Sequence, residues 1–221
     1  MAFSLGIKLD AIRQGLRTFD TTFFQAPGRM NVFNEHPFKV VFDYGHNAHA
    51  VGAMAELAQR LDVTGRRIVV IAGPGDRRDD DLKAIAKAVA GRFDHYICRR
   101  DDNLRDRAPD EVPRLIATAL IAQGVLNKQI SIIPDEQEAI DAALNMGQPG
   151  DLLLVFADAL VRSWKQITKF RPAGAPEPQA RVPAPPPPTI AEASAELPQL
   201  TSLEGLLRDE RGIRLAPEVD D

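Results

Sequence analysis

The chain has 221 residues, of which 44% are hydrophobic and 26% charged, with a formal net charge of -4 at pH 7. This length is ample for one buried core, and the weakly acidic balance without a basic run gives no reason to expect a nucleic-acid partner. The single cysteine, Cys98, excludes a disulfide framework within the chain. There is no apolar run of membrane-spanning length and no signal-peptide pattern, so we expect a cytoplasmic protein without a membrane partner.

The first 26 residues do not have the pattern of the start of a domain. A helix is predicted over residues 9–19, with Ile12, Leu16 and Phe19 on one side. A single amphipathic helix cannot bury its apolar face alone, so we expect it to pack against a partner that lies upstream. The Pro27-Gly28 pair that follows indicates a turn or hinge.

From residue 30 to residue 170 the pattern alternates between strands and helices. Two short apolar runs, 30–33 and 38–42, flank Asn34-Glu35-His36-Pro37 and predict a hairpin, with His36 as a solvated turn residue. Further strands are predicted at residues 67–72, 93–98, 129–133 and 151–156. Helices are predicted at residues 48–61, 79–92, 110–123, 135–146 and 160–170. Strands separated by helices predict an α/β fold with a mainly parallel sheet covered on both faces.

Beyond residue 171 the composition changes abruptly. Eight of the seventeen prolines lie between Pro172 and Pro188, which is typical of a stiff linker without a core. We expect a disordered Pro-rich tail over residues 172–221, with a docking tail as the alternative. Leu203, Leu206 and Leu207 suggest one short helix within it.

Three loops at predicted strand ends carry the candidate chemistry. One of them is Asp43-Tyr44-Gly45-His46-Asn47, which follows a buried strand. In open α/β sheets, ligands bind beyond the carboxyl ends of the strands, where Asp43 and His46 would lie. An aspartate at a strand end also serves as a turn former or a helix cap, and position alone does not distinguish the two roles.

Another loop, residues 73–78, contains two glycines and two arginines. The glycines permit close backbone approach, and Arg77 or Arg78 could hold an anion in bidentate geometry. The loop lacks the third glycine of a dinucleotide-binding fingerprint, and the aspartates at 79–81 would repel a phosphate on the helix axis. The alternative is that the arginines pair with those aspartates.

The remaining loop, residues 99–107, alternates acidic residues with arginines. Such a run is commonly a solvated charge cluster. Its mixture of carboxylates and guanidinium groups would also suit recognition of a zwitterion, and both interpretations stay open. Cys98, just before this loop, ends an apolar strand and is interpreted as a core thiol rather than a nucleophile.

Several catalytic motifs are absent from the sequence. There is no G-x-x-x-x-G-K-[ST] phosphate loop and no serine in a nucleophile elbow. His46 and His49 are three residues apart but lack the further ligands of a zinc site.

Four motifs in this order resemble the carboxyl-terminal domain of Mur-type amide ligases. They are Pro27-Gly28-Arg29-Met30, Asp43-Tyr44-Gly45-His46-Asn47, Gly73-Pro74-Gly75-Asp76-Arg77-Arg78 and Asp101-Asp102-Asn103-Leu104-Arg105. Within that family, residues 6–170 are most similar to the carboxyl-terminal part of cyanophycin synthetase, with its comparable D-Y-x-H-N and G-P-G-D-R-R. The resemblance implies a Rossmann-like domain at 27–171 that closes over ATP. Residues 1–26 would then end an upstream central domain, and residues 172–221 would form the linker and tail.

The resemblance also implies roles for individual residues. Asp43, His46 and Asn47 would contact the nucleotide, and the loop of Gly73, Gly75, Asp76 and Arg77 would face its phosphates. Asp102, Asn103 and Arg105 match the loop that in related ligases contacts the incoming amino acid. Three positions depart from the pattern. Leu104 and Ala48 stand where proline is common, and residues 157–161 replace a G-K-G-H-E segment, which leaves Asp158 as the weakest assignment.

The implied reaction joins arginine to an aspartate polymer, cyanophycin, with ATP and Mg²⁺. The phosphate-binding lysine and metal ligands would lie in an upstream P-loop domain or a separate ligase half, so we expect this chain alone to be inactive. Two related alternatives are a non-catalytic module that kept the fold and the domain of another Mur-type ligase. A receiver-like signalling domain would need a lysine where Phe156-Ala157-Asp158 stands. The added amino acid, the oligomeric state and whether the chain is a fragment stay open.

Overall fold

The computed structural model describes residues 3–172 together with two strands near the carboxyl terminus. The chain divides into two units, Met1–Ala175 and Pro176–Asp221, and each is described by itself. The strands of the first unit are β1 (Asn31–Phe33), β2 (Lys39–Asp43), β3 (Arg67–Ile71), β4 (His95–Cys98), β5 (Ile130–Ile132) and β6 (Leu152–Phe156). Its α-helices are α1 (Leu9–Thr18), α2 (Ala48–Arg60), α3 (Asp79–Val89), α4 (Glu111–Ala122), α5 (Glu136–Met146) and α6 (Leu160–Lys169), with short 3₁₀ turns at Phe3–Leu5 and Asn127–Gln129.

The six strands form one sheet in the order β1-β2-β6-β3-β4-β5. β1 pairs antiparallel with β2, and every other pairing is parallel. The predicted hairpin and the predicted mainly parallel sheet are therefore confirmed. β6, the last strand in chain order, lies between β2 and β3 and is buried along its whole length, which explains its unbroken apolar sequence.

Helices cover both faces of the sheet, as predicted. On one face α2, α3 and α4 pack in a row and contribute Val51, Leu82 and Ile116 to the core. On the other, α5 and α6 contribute Ile140 and Ile167. The chain steps in one direction from β2 to β5 and then returns to β6, and right-handed crossovers place the returning helix on the opposite face. The chain therefore leaves β6 on the face opposite to that used after β2 and β3, which opens a crevice at their carboxyl ends.

Helix α1 confirms the predicted helix but buries none of its residues. Leu9, Leu16 and Phe19 are 49%, 74% and 57% exposed. This is the unpartnered apolar face that the sequence indicates, and its packing against an upstream domain stays a prediction. Within the described residues, no helix combines the length and the apolar character that crossing a membrane would require.

The structure contradicts the prediction that His36 is a solvated turn residue. Its ring lies against Phe33, Phe38 and Phe170, with centroid distances of 4.7, 5.1 and 5.6 Å. Its Nε2 atom lies 2.8 Å from the carbonyl oxygen of Ile167. The prediction of a solvated turn residue is wrong because the β1–β2 turn folds back onto the end of α6.

The second unit contains β7 (Leu206–Asp209) paired antiparallel with β8 (Gly212–Leu215). The predicted short helix is therefore wrong for Leu206 and Leu207, which begin a strand. Two four-residue strands joined by two residues have the spacing of a tight hairpin, which competes with a helix for the same apolar residues. The disordered tail was predicted for residues 172–221, of which residues 173–205, 210–211 and 216–221 lie outside the described residues.

Candidate functional site

The loop after β2 lies at the crevice and is held by Asp43. One carboxylate oxygen, Oδ1, accepts a hydrogen bond from the Gly45 amide at 2.7 Å, and Oδ2 accepts one from the Met30 amide at 2.9 Å. The residue is only 8% exposed. This geometry favours the turn-forming role left open by the sequence, and direct contact between Asp43 and a nucleotide stays a prediction.

A cavity of about 270 Å³ opens on the α2–α3 side of this loop. His46, Asn47, Arg77 and Arg78 contribute to its lining, together with side chains of α3. The structure thus brings together predicted nucleotide residues that are about thirty positions apart in the sequence. Asn47 has a structural role as well, since its Oδ1 accepts a hydrogen bond from the Ala50 amide at 2.9 Å and caps α2.

The two arginines of this cavity differ in their partners. Arg78 donates from Nε and Nη2 to the carboxylate of Asp81 at 3.1 and 3.2 Å. The guanidinium of Arg77 is exposed and, among the described residues, forms no hydrogen bond or ion pair. The proposed pairing with the helix aspartates therefore holds for Arg78, and Arg77 is the cation left to meet an anion.

The glycines of the 73–78 loop, which we call the first loop, allow close packing. A Cβ atom on Gly73 would overlap the side chain of Leu82, and one on Gly75 would overlap the carbonyl oxygen of Leu104. Asp76 forms an ion pair with Arg105. The first loop therefore rests directly on the loop of residues 99–107, which we call the second loop. Phosphate contact by Gly73, Gly75 and Asp76 stays a prediction.

A second cavity, of about 280 Å³, also borders the loop after β2, at Tyr44. It is lined by Tyr44, Asp101, Asp102, Asn103, Arg105, Asp158 and Ala159. All three predicted amino-acid contacts and the weakly assigned Asp158 meet here. Asp102 is also held by Arg162, whose Nη2 lies 2.8 Å from its Oδ2.

Asp101 and Asp158 form a carboxyl pair in this second cavity. Burial, a hydrogen bond to Asp158 and the charge of Asp158 raise the pKa of Asp101 to about 7, against the opposing influence of Arg99 and Arg105. A protonated Asp101 avoids the cost of placing two negative charges side by side in a partly buried site. The sequence did not single out Asp101 for this property.

The pair rests on a buried ion pair that the sequence analysis missed. Arg99 and Glu136 are each 1% exposed, and Arg99 Nη1 lies 3.1 Å from Glu136 Oε2 and 3.2 Å from Asp158 Oδ2. Arg99 also donates to the carbonyl of Phe156 from Nη2 at 2.8 Å. Glu136 in turn accepts hydrogen bonds from the amides of Asp158 and Ala159 at 2.8 and 3.2 Å. The one available signal was that Arg99 directly follows a buried strand.

Cys98 confirms the interpretation as a core thiol. It is fully buried at the end of β4, and burial raises the pKa of its thiol to about 12. Within the described part of the chain, no group of three or more His, Cys, Asp or Glu residues is arranged to hold a metal ion.

An open parallel sheet with polar cavities at the carboxyl ends of its strands is typical of an α/β domain that binds ligands in that crevice. The chain belongs to the Mur ligase family. Residues 28–159 match the family described as the Mur ligase, glutamate ligase domain. The resemblance indicated by the four ordered motifs is thereby confirmed.

Relatives of known name agree with this assignment. Cyanophycin synthetase of Geminocystis herdmanii is 38% identical over 169 residues, which cover 76% of this chain and 19% of that protein. The 2,6-diaminopimelate-adding Mur ligase of Aquifex aeolicus is 27% identical over 151 residues, or 68% of this chain and 29% of that protein. This chain therefore spans about a fifth of the length of the cyanophycin synthetase it matches.

Solved structures share the fold. A bifunctional folylpolyglutamate synthase/dihydrofolate synthase from Yersinia pestis, complexed with AMPPNP and a manganese ion, superposes with a TM-score of 0.52 at 21% identity. The match covers 73% of this chain and 34% of that one. This likeness shows that the α/β sheet and its helices share the fold of part of that synthase.

Proposed function

We propose that this chain supplies the carboxyl-terminal domain of an ATP-dependent amide ligase of the cyanophycin synthetase type. The observation that carries the proposal is the pair of cavities that border the loop after β2. One collects His46, Asn47 and Arg77, and the other collects Asn103, Arg105 and the Asp101–Asp158 pair. A ligase needs two such neighbouring sites because a nucleotide and an amine must meet at one acyl group.

The first cavity suits part of an ATP molecule. The unpaired guanidinium of Arg77 would bind phosphate oxygens, and the His46 and Asn47 side chains would contact the nucleoside. ATP would activate a carboxylate as an acyl phosphate, with Mg²⁺ bound to the triphosphate. The remaining phosphate contacts and the metal ligands would come from an upstream P-loop domain or a separate ligase half, against which the apolar face of α1 would pack.

The second cavity suits a cationic amino acid such as arginine. Three carboxyl groups, those of Asp101, Asp102 and Asp158, line the cavity beside one arginine, Arg105, so its wall would accommodate further positive charge. The ammonium or guanidinium group of arginine would supply it, while Arg105 and Asn103 would orient the carboxylate. Such a ligase would work in the cytoplasm, where ATP is abundant.

The reaction then requires mainly positioning. The arginine amine attacks the acyl carbon at the end of the aspartate polymer, the bond from that carbon to the phosphate oxygen breaks, and phosphate leaves. The amine releases a proton as the amide forms. Charged side chains that hold both substrates in place would lower the barrier because they need no reorganisation when charge moves.

The test compares the chain alone with the chain joined to an upstream P-loop ligase half. With ATP, Mg²⁺, arginine and an aspartate polymer, the chain alone should release no phosphate above background. The joined protein should form the amide, and Arg77→Ala should lower kcat/KM for ATP at least about tenfold, as expected for one charge-assisted contact. Arg60→Ala, on the surface of α2, is the control. Asp43→Ala is a less clean test, since it also releases the loop amides.

Three outcomes would redirect the proposal. Unchanged kinetics in both Arg77→Ala and His46→Ala would refute the nucleotide-facing assignment. The diaminopimelate-adding relatives favour another Mur-type ligase as the second candidate, and ligation of diaminopimelate in place of arginine would identify it. A joined protein that ligates neither amino acid would favour a non-catalytic module.

A further inference from the structure

The side chain of Arg107 connects the first loop to the second. From the end of the second loop, its Nε donates to the carbonyl of Gly75 and its Nη2 to the carbonyl of Arg77, both at 2.8 Å. Nη2 also lies 2.8 Å from Asp79 Oδ1, and Nη1 lies 2.8 Å from Glu111 Oε1. The side chain is only 18% exposed. One guanidinium therefore joins two backbone carbonyls of the first loop to the start of α3 and the start of α4.

The second loop has a backbone that requires such support. Arg105 and Asp106 are consecutive non-glycine residues with φ angles of 48° and 67°. Left-handed conformations of this kind persist only where surrounding contacts determine them. The contacts include the ion pair of Arg105 with Asp76 and the side-chain hydrogen bonds of Arg107. Within the loop, Asn103 Oδ1 accepts from the Arg105 amide and the Leu104 carbonyl accepts from the Arg107 amide, both at 3.1 Å. The first two contacts come from the first loop or bind to it.

We propose that Arg107 is a positioning residue that ties the two loops together, so that a nucleotide at the first loop and an amino acid at the second bind with positive coupling. The coupling rests on the proposed function, whereas the tie between the loops does not. A phosphate bound by Arg77 restrains the Arg77 backbone carbonyl, which accepts a hydrogen bond from Arg107. Through Arg107, this restraint holds Asn103 and Arg105 in the arrangement that binds the amino acid. By linkage, an amino acid in the second cavity raises nucleotide affinity by the same factor.

The tie is tested first without ligands. Amide hydrogen exchange is measured on the full 221-residue chain and on Arg107→Ala. We expect exchange to rise at least about tenfold in both loops, at the amides of Arg77 and Arg105 together. Arg114→Ala is the control, because Arg114 lies nearby in the first turn of α4 and, within the described residues, its side chain pairs only with Asp110. A rise confined to one loop, or an equal rise in the control, would overturn the proposal.

The coupling is tested by binding. The affinity for MgATP is measured by NMR titration with and without saturating L-arginine. We expect the wild-type chain to show a coupling factor of about 5 or more, within the usual range for linked sites, and Arg107→Ala a factor near 1. Arg107→Lys keeps the charge but not the forked donors. It should recover the wild-type melting temperature without recovering the coupling, which separates positioning from structural support.

The outcomes separate the two proposals. Strong coupling that survives in Arg107→Ala, or wild-type binding of both ligands without coupling, would overturn the role of Arg107. A wild-type chain that binds neither ligand would overturn the ligand coupling, while the joined protein would still decide the proposed function. In that case the exchange measurement alone would decide whether Arg107 ties the loops.

Discussion

Replacing Glu136 by glutamine tests the buried pair beneath the second cavity. Five donors converge on the Glu136 carboxylate: the guanidinium of Arg99, the amides of Asp158 and Ala159, the hydroxyl of Ser163 at 2.6 Å and Nε2 of Gln137 at 3.4 Å. A glutamine side chain has the same size but only one acceptor oxygen. Its amide group must therefore face two of these donors, and Arg99 loses its closest counter-charge.

The expected loss follows from the burial of both partners. Breaking one side of a buried ion pair costs about 3–5 kcal/mol, and the remaining contact of Arg99 with Asp158 puts this change near 3 kcal/mol. With a urea m-value of about 2 kcal/mol/M for a domain of this size, the midpoint should fall by roughly 1.5 M. Circular dichroism during urea unfolding measures it.

The control is Glu56→Gln, which breaks the ion pair of Glu56 with Arg60 on the surface of α2. Those side chains are 58% and 73% exposed, so the loss should stay below about 0.5 kcal/mol. The two variants remove the same charge from the same residue type and differ in burial. Equal losses in both would refute the inference that burial makes the Arg99–Glu136 pair indispensable.

Three other predictions concern the two loops and the core. Gly75→Ala should cost about 1–3 kcal/mol by pushing the loops apart, whereas Gly52→Ala, whose Cβ would meet its nearest atom at 3.6 Å, should be neutral or stabilising in the same unfolding assay. The raised pKa of Asp101 means that the folded chain keeps a proton which the unfolded chain releases, so this group's contribution is present below pH 4 and lost as the pH rises to about 7. Asp101→Asn should therefore stabilise the chain more at pH 8 than at pH 5, and an equal effect at both would contradict the assignment. Cys98 should react with a thiol reagent only at the rate of unfolding, because the buried thiol stays protonated.

Much of the fold follows from periodicity in the sequence. The strand predicted at residues 67–72 is Arg67–Ile71, and the helix predicted at 135–146 is Glu136–Met146. The rule that ligands bind at the carboxyl ends of parallel strands also selected loops that lie close together, because His46 and Arg77 line one cavity and Asn103 lines its neighbour.

What the sequence could not predict depends on partners that are distant along the chain. Glu136 lies in an acidic helix start that looks solvated, and it is buried only because Arg99 reaches it from β4. Arg107 is one of several arginines in a charged loop, and nothing local distinguishes it from Arg105. His36 looks like a turn residue until Phe170 covers it. Each case needs knowledge of which segments meet, which local periodicity does not contain.

The central place of β6 has a consequence for how the domain forms. β2 and β3 both hydrogen-bond to β6 and do not pair with each other. During synthesis β2 would wait about 110 residues and β3 about eighty for their common neighbour. Such non-local pairing is slow and leaves strand edges unprotected. A ribosome-bound chain that ends before Leu152 would hold two half-sheets, β1–β2 and β3–β4–β5, each open on the side where β6 belongs.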